Sequence, residues 1–258
     1  MADSENIRDL NIYLKRMERS VMDKMFFIDK VFEPIQNILD FGCANGGTIK
    51  SLELFFGDYR YIGYDVSEEM VEAAKKNVPE AEFYTRWEDI SLDPSQTLIN
   101  ISSTVHEVYS YSGHDEIEQF WDRVWNSGFK YVSIRDMSVP KGCDRDCEPA
   151  QLAAVRACKA YAEKLREYES VWGPIVSEKQ LTHFLLKYSY TQNWAREVRE
   201  NYLPISTEAL LARIPDCYEV TWLRTYTLPY VAWQVERDFG VRLSTPTHIQ
   251  LICKKREA

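Results

Sequence analysis

The 258-residue sequence predicts an α/β fold in which helices cover both faces of a parallel β-sheet. Short apolar segments of the strand type alternate with amphipathic helical segments between residues 37 and 137, which is typical of such sheets. The length allows one large core with an insertion. Hydrophobic residues at 45% and charged residues at 28% are ordinary for a globular protein, so neither a fibrous nor a disordered class is indicated.

The predicted elements follow one another in a regular order. Apolar residues at steps of three and four, including Phe32, predict a helix over residues 6–32, which Pro34 ends. Ser67 is a favourable N-cap for the helix after the second strand. The elements that follow Pro34 are the strand NILDF, the helix GGTIKSLELFF, the strand YRYIGYD, the helix that Ser67 caps, the strands AEFYTRW and TLINISSTV, a helix over residues 114–127 and the strand FKYVSIRDM.

The pattern changes after Pro140. Residues 149–213 have helical spacing throughout. Strand character returns in CYEVTWLRTYTL and THIQLICKK, with residues 229–239 predicted to be helical between them. These boundaries predict a core formed by residues 1–140 and 216–258, with residues 141–215 as a helical insertion.

Charge and leader patterns bear on partners and location. The formal net charge of -9 disfavours binding to the phosphate backbone of nucleic acids. The start, MADSENIRDL, lacks the basic and apolar regions of a signal peptide, and no apolar run reaches the ~20 residues of a membrane span. We therefore expect a cytoplasmic protein that binds neither nucleic acid nor membrane. The oligomeric state stays open, with a homodimer as one alternative.

The cysteines give no metal motif. Cys143 and Cys147 would begin a Cys-x-x-x-Cys-x-x-Cys iron–sulfur motif, but Ala150 occupies its third position. The four histidines do not lie at the spacing of zinc ligands. We predict no metal site and interpret these cysteines as reduced thiols in a loop.

A glycine-rich turn follows the first predicted strand in ILDFGCANGG. The small residues Gly42, Ala44 and Gly46 allow the backbone to approach a ligand closely, and the next helix begins with free N–H groups. Asp65 ends the second strand, where a carboxylate can accept hydrogen bonds from both hydroxyls of a ribose. Together these features predict an adenosine-type ligand. The alternative is a tight strand–helix turn that binds nothing.

The spacing of the small residues favours one class of adenosine ligand. A dinucleotide fingerprint has its third glycine three positions after the second, whereas the small residues here lie two apart, which disfavours a nicotinamide dehydrogenase. The stretch resembles the first motif of class I S-adenosylmethionine-dependent methyltransferases, with Ala44 in place of the middle glycine. YIGYDVSEEMVEAAKKN, AEFYTRWEDI, LINISSTVHEV and FKYVSIRDM resemble the later motifs of that family. The resemblance covers residues 30–140.

The resemblance implies a Rossmann-like sheet with an antiparallel last strand, S-adenosyl-L-methionine as cofactor and S-adenosyl-L-homocysteine as product. Asp40 would orient the methionine ammonium, Asp65 would hold the ribose, and Val66 would pack on the adenine. The family usually has an Asp near Arg86, and here Trp87 could border the adenine instead. The implied cofactor residues are Asp40, Gly42, Ala44, Gly46, Asp65, Val66, Trp87 and Ser102.

In this architecture the acceptor meets the methyl group beyond the fourth strand, at SSTVHEVYSYSGHDE. His106 is the candidate base, with Glu107, Tyr109 and Tyr111 positioned to orient it or the acceptor. The alternative is that His106 packs against the sheet with a satisfied ring. Arg135 could bind an acceptor carboxylate or phosphate, or it could form a solvated pair with Asp136.

The helical insertion is predicted to cover the acceptor. Its candidate substrate contacts are Tyr190, Trp194 and Arg199, although helix packing explains the same residue types. The sequence lacks the motifs of amino-methylating nucleic-acid enzymes and of ribose 2′-oxygen enzymes, which favours methyl transfer to an oxygen or nitrogen of a small molecule. The alternatives are an RNA or protein methyltransferase that uses arginines of the insertion, or a non-catalytic cofactor-binding partner subunit.

Overall fold

A computed structural model describes residues 20–257, and the part of the predicted first helix before residue 20 lies outside them. Seven strands form one sheet in the order β3-β2-β1-β4-β5-β7-β6. The strands are β1 Asn37–Phe41, β2 Arg60–Tyr64, β3 Glu82–Tyr84, β4 Thr97–Ser102, β5 Tyr131–Met137, β6 Tyr218–Tyr226 and β7 His248–Lys255.

Strands β1 to β5 are parallel, and β7 runs against them. Asp40 on β1 lies in register with Gly63 on β2 and Asn100 on β4, and Asn100 lies in register with Ser133 on β5. Two backbone hydrogen bonds show that β7 is antiparallel to β5. The Lys255 N–H donates to the Lys130 carbonyl at one end of the pair, and the Ser138 N–H donates to the Thr247 carbonyl at the other. The predicted mostly parallel sheet with an antiparallel last strand is confirmed.

Eleven helices are present within residues 20–257. They are α1 Val21–Lys24, α2 Gly47–Phe55, α3 Glu68–Asn77, α4 Val105–Tyr111, α5 His114–Asn126, α6 Pro149–Ala157, α7 Ala162–Trp172, α8 Glu178–Lys187, α9 Trp194–Glu197, α10 Thr207–Leu211 and α11 Pro229–Phe239. Ser67 caps α3 as predicted, since its side chain accepts a hydrogen bond from the Met70 N–H.

Three expectations about helices are wrong. The first helix does not continue to residue 32, because α1 gives way to a 3₁₀ turn over Phe26–Asp29, and Phe32 is 81% exposed. Residues 149–213 are not continuously helical, since α7 ends before Gly173, which has a φ of 79°, and α8 begins only at Glu178. The segment between the fourth strand and the helix over residues 114–127, for which the sequence predicts no helix, is mostly helix α4.

The chain divides into two compact units. The first comprises the described residues up to Asp136 with Ile214–Arg224 and the chain from Gln250 onward. Its core lies on one sheet face, where Ile38, Leu98 and Tyr131 form a row across β1, β4 and β5. Residues of α1, α2 and α3 belong to the same core cluster. On the opposite face, α5 presents its buried apolar side, with Phe120 at 5.3 Å between ring centroids from Phe41.

The second unit comprises Met137–Arg213 and Thr225–Ile249. Its main core cluster is built largely from the apolar faces of α7, α8 and α11, and aromatic rings such as Tyr168, Phe184 and Tyr188 are fully buried in it. A capping box begins α8, in which Ser177 and Gln180 satisfy each other's backbone N–H groups. The predicted helix over residues 229–239 is confirmed as α11 and belongs to this unit. Among residues 20–257, no helix combines the length and the apolarity that a membrane crossing requires.

Candidate active site

The turn after β1 has the backbone conformation that its small residues predict. Gly42, Ala44 and Gly46 all have positive φ, at 77°, 46° and 74°. A Cβ on Gly42 would lie 2.5 Å from Oγ1 of Thr104, so a side chain there would collide with the segment after β4. Ala44 adopts a left-handed conformation that usually favours glycine, in agreement with the glycine that the motif has at this position.

Asp65 organises this turn. One oxygen of its carboxylate accepts a hydrogen bond from the Ala44 N–H at 2.9 Å, and the other accepts from the Ser67 N–H at 2.9 Å. Burial raises the pKa of Asp65, and the two hydrogen bonds oppose that shift. Each oxygen keeps a second lone pair, so the carboxylate can still accept from the hydroxyls of a ribose.

A row of buried polar groups lies two residues beyond the apolar row on the same sheet face. Asp40, Asn100 and Ser133 form this row across three strands. The Asn100 side chain donates to Asp40 at 2.8 Å, and burial raises the pKa of Asp40 to about 6. Within the described part of the chain, Oδ1 of Asn100 and Oγ of Ser133 and of Ser102 have no hydrogen-bond partner. Unpaired buried polar atoms beside a strained turn fit the polar methionine end of S-adenosylmethionine.

An aromatic cluster borders the same end of the sheet. The half-buried ring of Trp87 lies 5.7 Å from Phe41 and 5.5 Å from Tyr64, measured between centroids. Val66 is 52% exposed and directly follows Asp65. Trp87 therefore packs against other aromatic side chains of the sheet, and Val66 presents free apolar surface. Their contact with an adenine stays a prediction.

His106 and Asp136 form a buried pair. His106 lies in the first turn of α4 and Asp136 lies near the end of β5, with exposed fractions of 6% and 2%. Nδ1 of His106 is 2.7 Å from Oδ1 of Asp136, and the His106 backbone N–H donates to Oδ2 at 3.3 Å. Sequence reasoning missed this role of Asp136. The available signal was that His106 follows the fourth strand and Asp136 lies near the end of the fifth, and consecutive strands of such a sheet are often neighbours.

Arg135 points away from Asp136. Its Nε lies 2.6 Å from a carboxylate oxygen of Asp23, and its Nη1 lies 2.8 Å from Oγ of Ser103. Arg135 is 4% exposed, so the alternative of a solvated pair with Asp136 is wrong. Binding of an acceptor anion by Arg135 stays a prediction.

The other predicted residues after β4 lie on α4. Glu107, Tyr109 and Tyr111 are half-buried, and the hydroxyl of Tyr109 accepts from the indole N–H of Trp121 at 3.0 Å. The structure thus brings these three onto one short helix with His106. Their contact with an acceptor stays a prediction.

The remaining candidates belong to the second unit. Trp194 is buried, with the Lys164 ammonium 5.0 Å from its ring centroid. Tyr190 packs edge-on to Tyr202, and Arg199 is exposed. Their assignment to the acceptor stays a prediction. Cys143 and Cys147 are free thiols in this unit, and both are buried.

The comparisons with known proteins agree with this geometry. A family model described as a methyltransferase domain matches residues 38–126. The plantazolicin methyltransferase BamL, in complex with a triazolic desmethylPZN analog and SAH, has a TM-score of 0.54 at 12% identity over 95% of this chain and 88% of its own. The plantazolicin methyltransferase BpumL in complex with SAH has a TM-score of 0.52 at 12% identity over 98% and 89%. No curated protein matched the sequence. The solved structures thus share the fold of this chain.

Proposed function

We propose that this chain, which is a class I S-adenosylmethionine-dependent methyltransferase, transfers the methyl group to an oxygen or nitrogen of a small-molecule acceptor with His106 as base. The observation that carries this proposal is the buried His106–Asp136 pair. His106 lies two residues after Thr104, whose hydroxyl lies against Gly42 of the turn after β1. A base at this place would lie on the reactive side of the cofactor.

The cofactor, S-adenosylmethionine, supplies a methyl group on a positively charged sulfur, so the protein mainly has to align the acceptor. In this chain Asp40 would accept a hydrogen bond from the methionine ammonium. The turn from Gly42 to Gly46 leaves room for the ligand beside its backbone, and Asp65 would bind the ribose. Asp40 and its hydrogen-bond partner Asn100 are both buried.

Asp136 fixes the tautomer of His106. A carboxylate can only accept a hydrogen bond, so the ring nitrogen that faces it, Nδ1, carries the proton. In the neutral imidazole, Nε2 is then the nitrogen that carries no proton. Nε2 would take the proton from the hydroxyl or ammonium of the acceptor, while Asp136 acts as a positioning residue.

The acceptor class rests on the acidic charge of the chain and on the absence of nucleic-acid methyltransferase motifs. Protein and RNA acceptors are the alternatives. The solved complex of BamL contains a triazolic desmethylPZN analog, so azole-containing compounds of that kind belong in the test panel. The helical second unit is proposed to contribute Tyr190, Trp194 and Arg199 to acceptor binding.

The test has two stages. Calorimetric titration with S-adenosylhomocysteine, with NAD as the control, first establishes cofactor binding by the purified chain. Methyl-labelled S-adenosylmethionine is then offered with panels of hydroxylated and amine compounds, azole-containing compounds, RNA and peptides. Label transfer to a small molecule supports the proposal. Transfer only to RNA or protein, or tight cofactor binding without any transfer, contradicts it.

A further inference from the structure

The connection between β4 and α4 contains a strained residue. It consists of Ser103 and Thr104, and Ser103 has a φ of 57°. This left-handed conformation is rare for a residue with a side chain and persists where surrounding contacts impose it. His106 lies three residues later, in the first turn of α4. The direction in which α4 leaves the sheet, and with it the place of His106, therefore depends on the conformation of Ser103.

Arg135 on β5 supports that conformation at two points. The Ser103 N–H donates to the Arg135 carbonyl at 2.8 Å, and Nη1 of Arg135 donates to Oγ of Ser103 at 2.8 Å. The next residue of the strand, Asp136, contacts both the ring and the backbone N–H of His106. Two consecutive residues of β5 thus fix the two ends of the short segment from Ser103 to His106.

A carboxylate from the first described helix orients Arg135. Asp23 on α1 accepts from Nε of Arg135 at 2.6 Å with one oxygen and from the side-chain amide of Gln250 at 3.0 Å with the other. Arg135 is buried and Asp23 is half-buried, so salt screens this ion pair little. The guanidinium is planar and its donors have fixed directions, so the bond from Nε to Asp23 aims Nη1 at Ser103.

We infer that Arg135 is a positioning residue, which places His106 by holding Ser103 in its left-handed conformation. Asp23 acts one step further away, because it orients the guanidinium. The inference rests on the proposed function in one respect, since an effect on turnover requires that His106 is the base. Binding of an acceptor anion is the competing role for the same arginine, and it predicts different kinetics.

The experiment compares alanine with glycine at position 103, because both lack the hydroxyl but only glycine adopts a positive φ without strain. Ser103→Ala should lower kcat for an identified acceptor about 10- to 100-fold, as expected for a displaced base, while KM and the affinity for S-adenosylhomocysteine change less than about threefold. Ser103→Gly should lower kcat less than about fivefold. Equal losses in the two variants would show that the conformation of this residue does not matter, and they would overturn the inference.

Arg135→Met provides the second arm. It should lower kcat by about the same factor as Ser103→Ala, and the two changes together should cost little more, because both remove the same hydrogen bond. Ser103→Gly in the Arg135→Met background should restore most of the lost kcat, which a merely unfolded variant would not show. A loss that glycine does not restore would overturn the inference. A rise in KM confined to anionic acceptors, with kcat unchanged, would place Arg135 at the acceptor and overturn it too.

The matched control is Arg60→Met, which removes another strand arginine. Arg60 donates to Glu82 at 2.6 and 2.8 Å and begins β2, at the opposite end of the sheet from His106. The control should keep the wild-type kcat, and thermal unfolding checks the fold of every variant. If Arg135→Met does not fold, Ser103→Ala and Ser103→Gly carry the test, because neither changes a charge.

A proton NMR spectrum separates failure of this inference from failure of the proposed function. The Nδ1 proton that His106 donates to Asp136 should give a downfield resonance in wild type, which the His106→Ala spectrum assigns by its loss. Ser103→Ala should broaden or remove this signal, and Ser103→Gly should keep it. If the signal behaves so while His106→Ala keeps the wild-type rate, the positioning is supported and the proposed base is wrong. An unchanged signal in Ser103→Ala would overturn the inference itself.

Discussion

The turn after β1 and the segment after β4 lie at the carboxyl ends of neighbouring parallel strands, yet they are built differently. The turn depends on backbone shape, with positive φ angles at Gly42 and Gly46, and its Ala44 N–H donates to the Asp65 carboxylate. The segment after β4 depends on side chains, since His106 is held by Asp136 from β5. They meet where Thr104 lies against Gly42. A turn that depends on backbone shape suits a cofactor whose form is fixed. The segment after β4 with His106 and Asp136, here called the side-chain half, suits acceptors that differ between enzymes.

The largest expected effect comes from forcing the two regions apart. In Gly42→Ala the new Cβ would meet Thr104 at 2.5 Å, in a backbone conformation with φ of 77°. We expect the free energy of unfolding in urea to fall by roughly 2–4 kcal/mol, from the clash and the strain together. We also expect the affinity for S-adenosylhomocysteine to fall by more than about 100-fold, since the turn would have to move.

A second substitution separates the clash from the strain. Thr104→Ala in the Gly42→Ala background removes the colliding Oγ1 and Cγ2 atoms, so part of the lost stability should return. Gly142→Ala, where an added Cβ meets nothing within 4 Å, is the matched control and should stay within about 0.5 kcal/mol of wild type. A Gly42→Ala protein with unchanged stability would show that the turn does not depend on its shape.

The side-chain half gives the next largest effect. His106→Ala should reduce turnover of an identified acceptor by roughly 10²-fold or more, while the affinity for S-adenosylhomocysteine changes little. Asp136→Asn should also reduce turnover, because an amide can present a donor to Nδ1 and favour the wrong tautomer. Steady-state rates with labelled cofactor measure both variants.

The control for this pair is His114→Ala, which removes an exposed histidine at the start of α5. It should keep the wild-type rate. If His106→Ala also keeps the wild-type rate, His106 is a structural residue and the acceptor is deprotonated elsewhere. If Asp136→Asn loses cofactor affinity rather than turnover, Asp136 supports the fold and does not position a base.

Substitution of Asp65 tests the turn through the proposed contact of this carboxylate with the ribose. Asp65→Ala should weaken binding of S-adenosylhomocysteine by about 1–3 kcal/mol, through the loss of hydrogen bonds to the ribose and of the support for Ala44. Binding of S-adenosylhomocysteine lacking both ribose hydroxyls should respond much less to the substitution, which isolates the ribose contribution. Equal losses for the two ligands would assign the whole effect to the turn.

The same contrast explains what could be predicted from the sequence. Strand β1 matches the predicted NILDF because every residue in it is buried, and buried parallel strands give continuous apolar runs. The turn could be predicted because positive φ angles select small residues that leave a visible spacing. Asp65 could be predicted because it ends the strand next to that turn.

The side-chain half left weaker signals. Helix α4 was missed because Thr104, at its N-cap, makes no capping hydrogen bond and instead donates to the Phe41 carbonyl at 3.1 Å. The role of Asp136 depends on strand order and on contact across 30 positions of sequence.

The smallest effect, and the one that compares the two regions by charge, is the pH dependence of cofactor binding. Burial raises the pKa of Asp40 to about 6, with Lys24 and Asp65 as the other charges that act on it. If Asp40 binds the ammonium of the cofactor as proposed, binding needs the ionised carboxylate, so the affinity for S-adenosylhomocysteine should be constant above about pH 7 and fall about tenfold by pH 5. The same raised pKa makes the ligand-free fold less stable as the pH rises from about 4 to 6, because the folded state holds the proton more tightly there.

Two variants identify the titrating group. Asp40→Asn should bind weakly at every pH and remove the Asp40 contribution to the pH dependence of both affinity and stability, whereas His106→Ala should keep both. A slope that disappears in His106→Ala and persists in Asp40→Asn would assign the titration to the side-chain half instead.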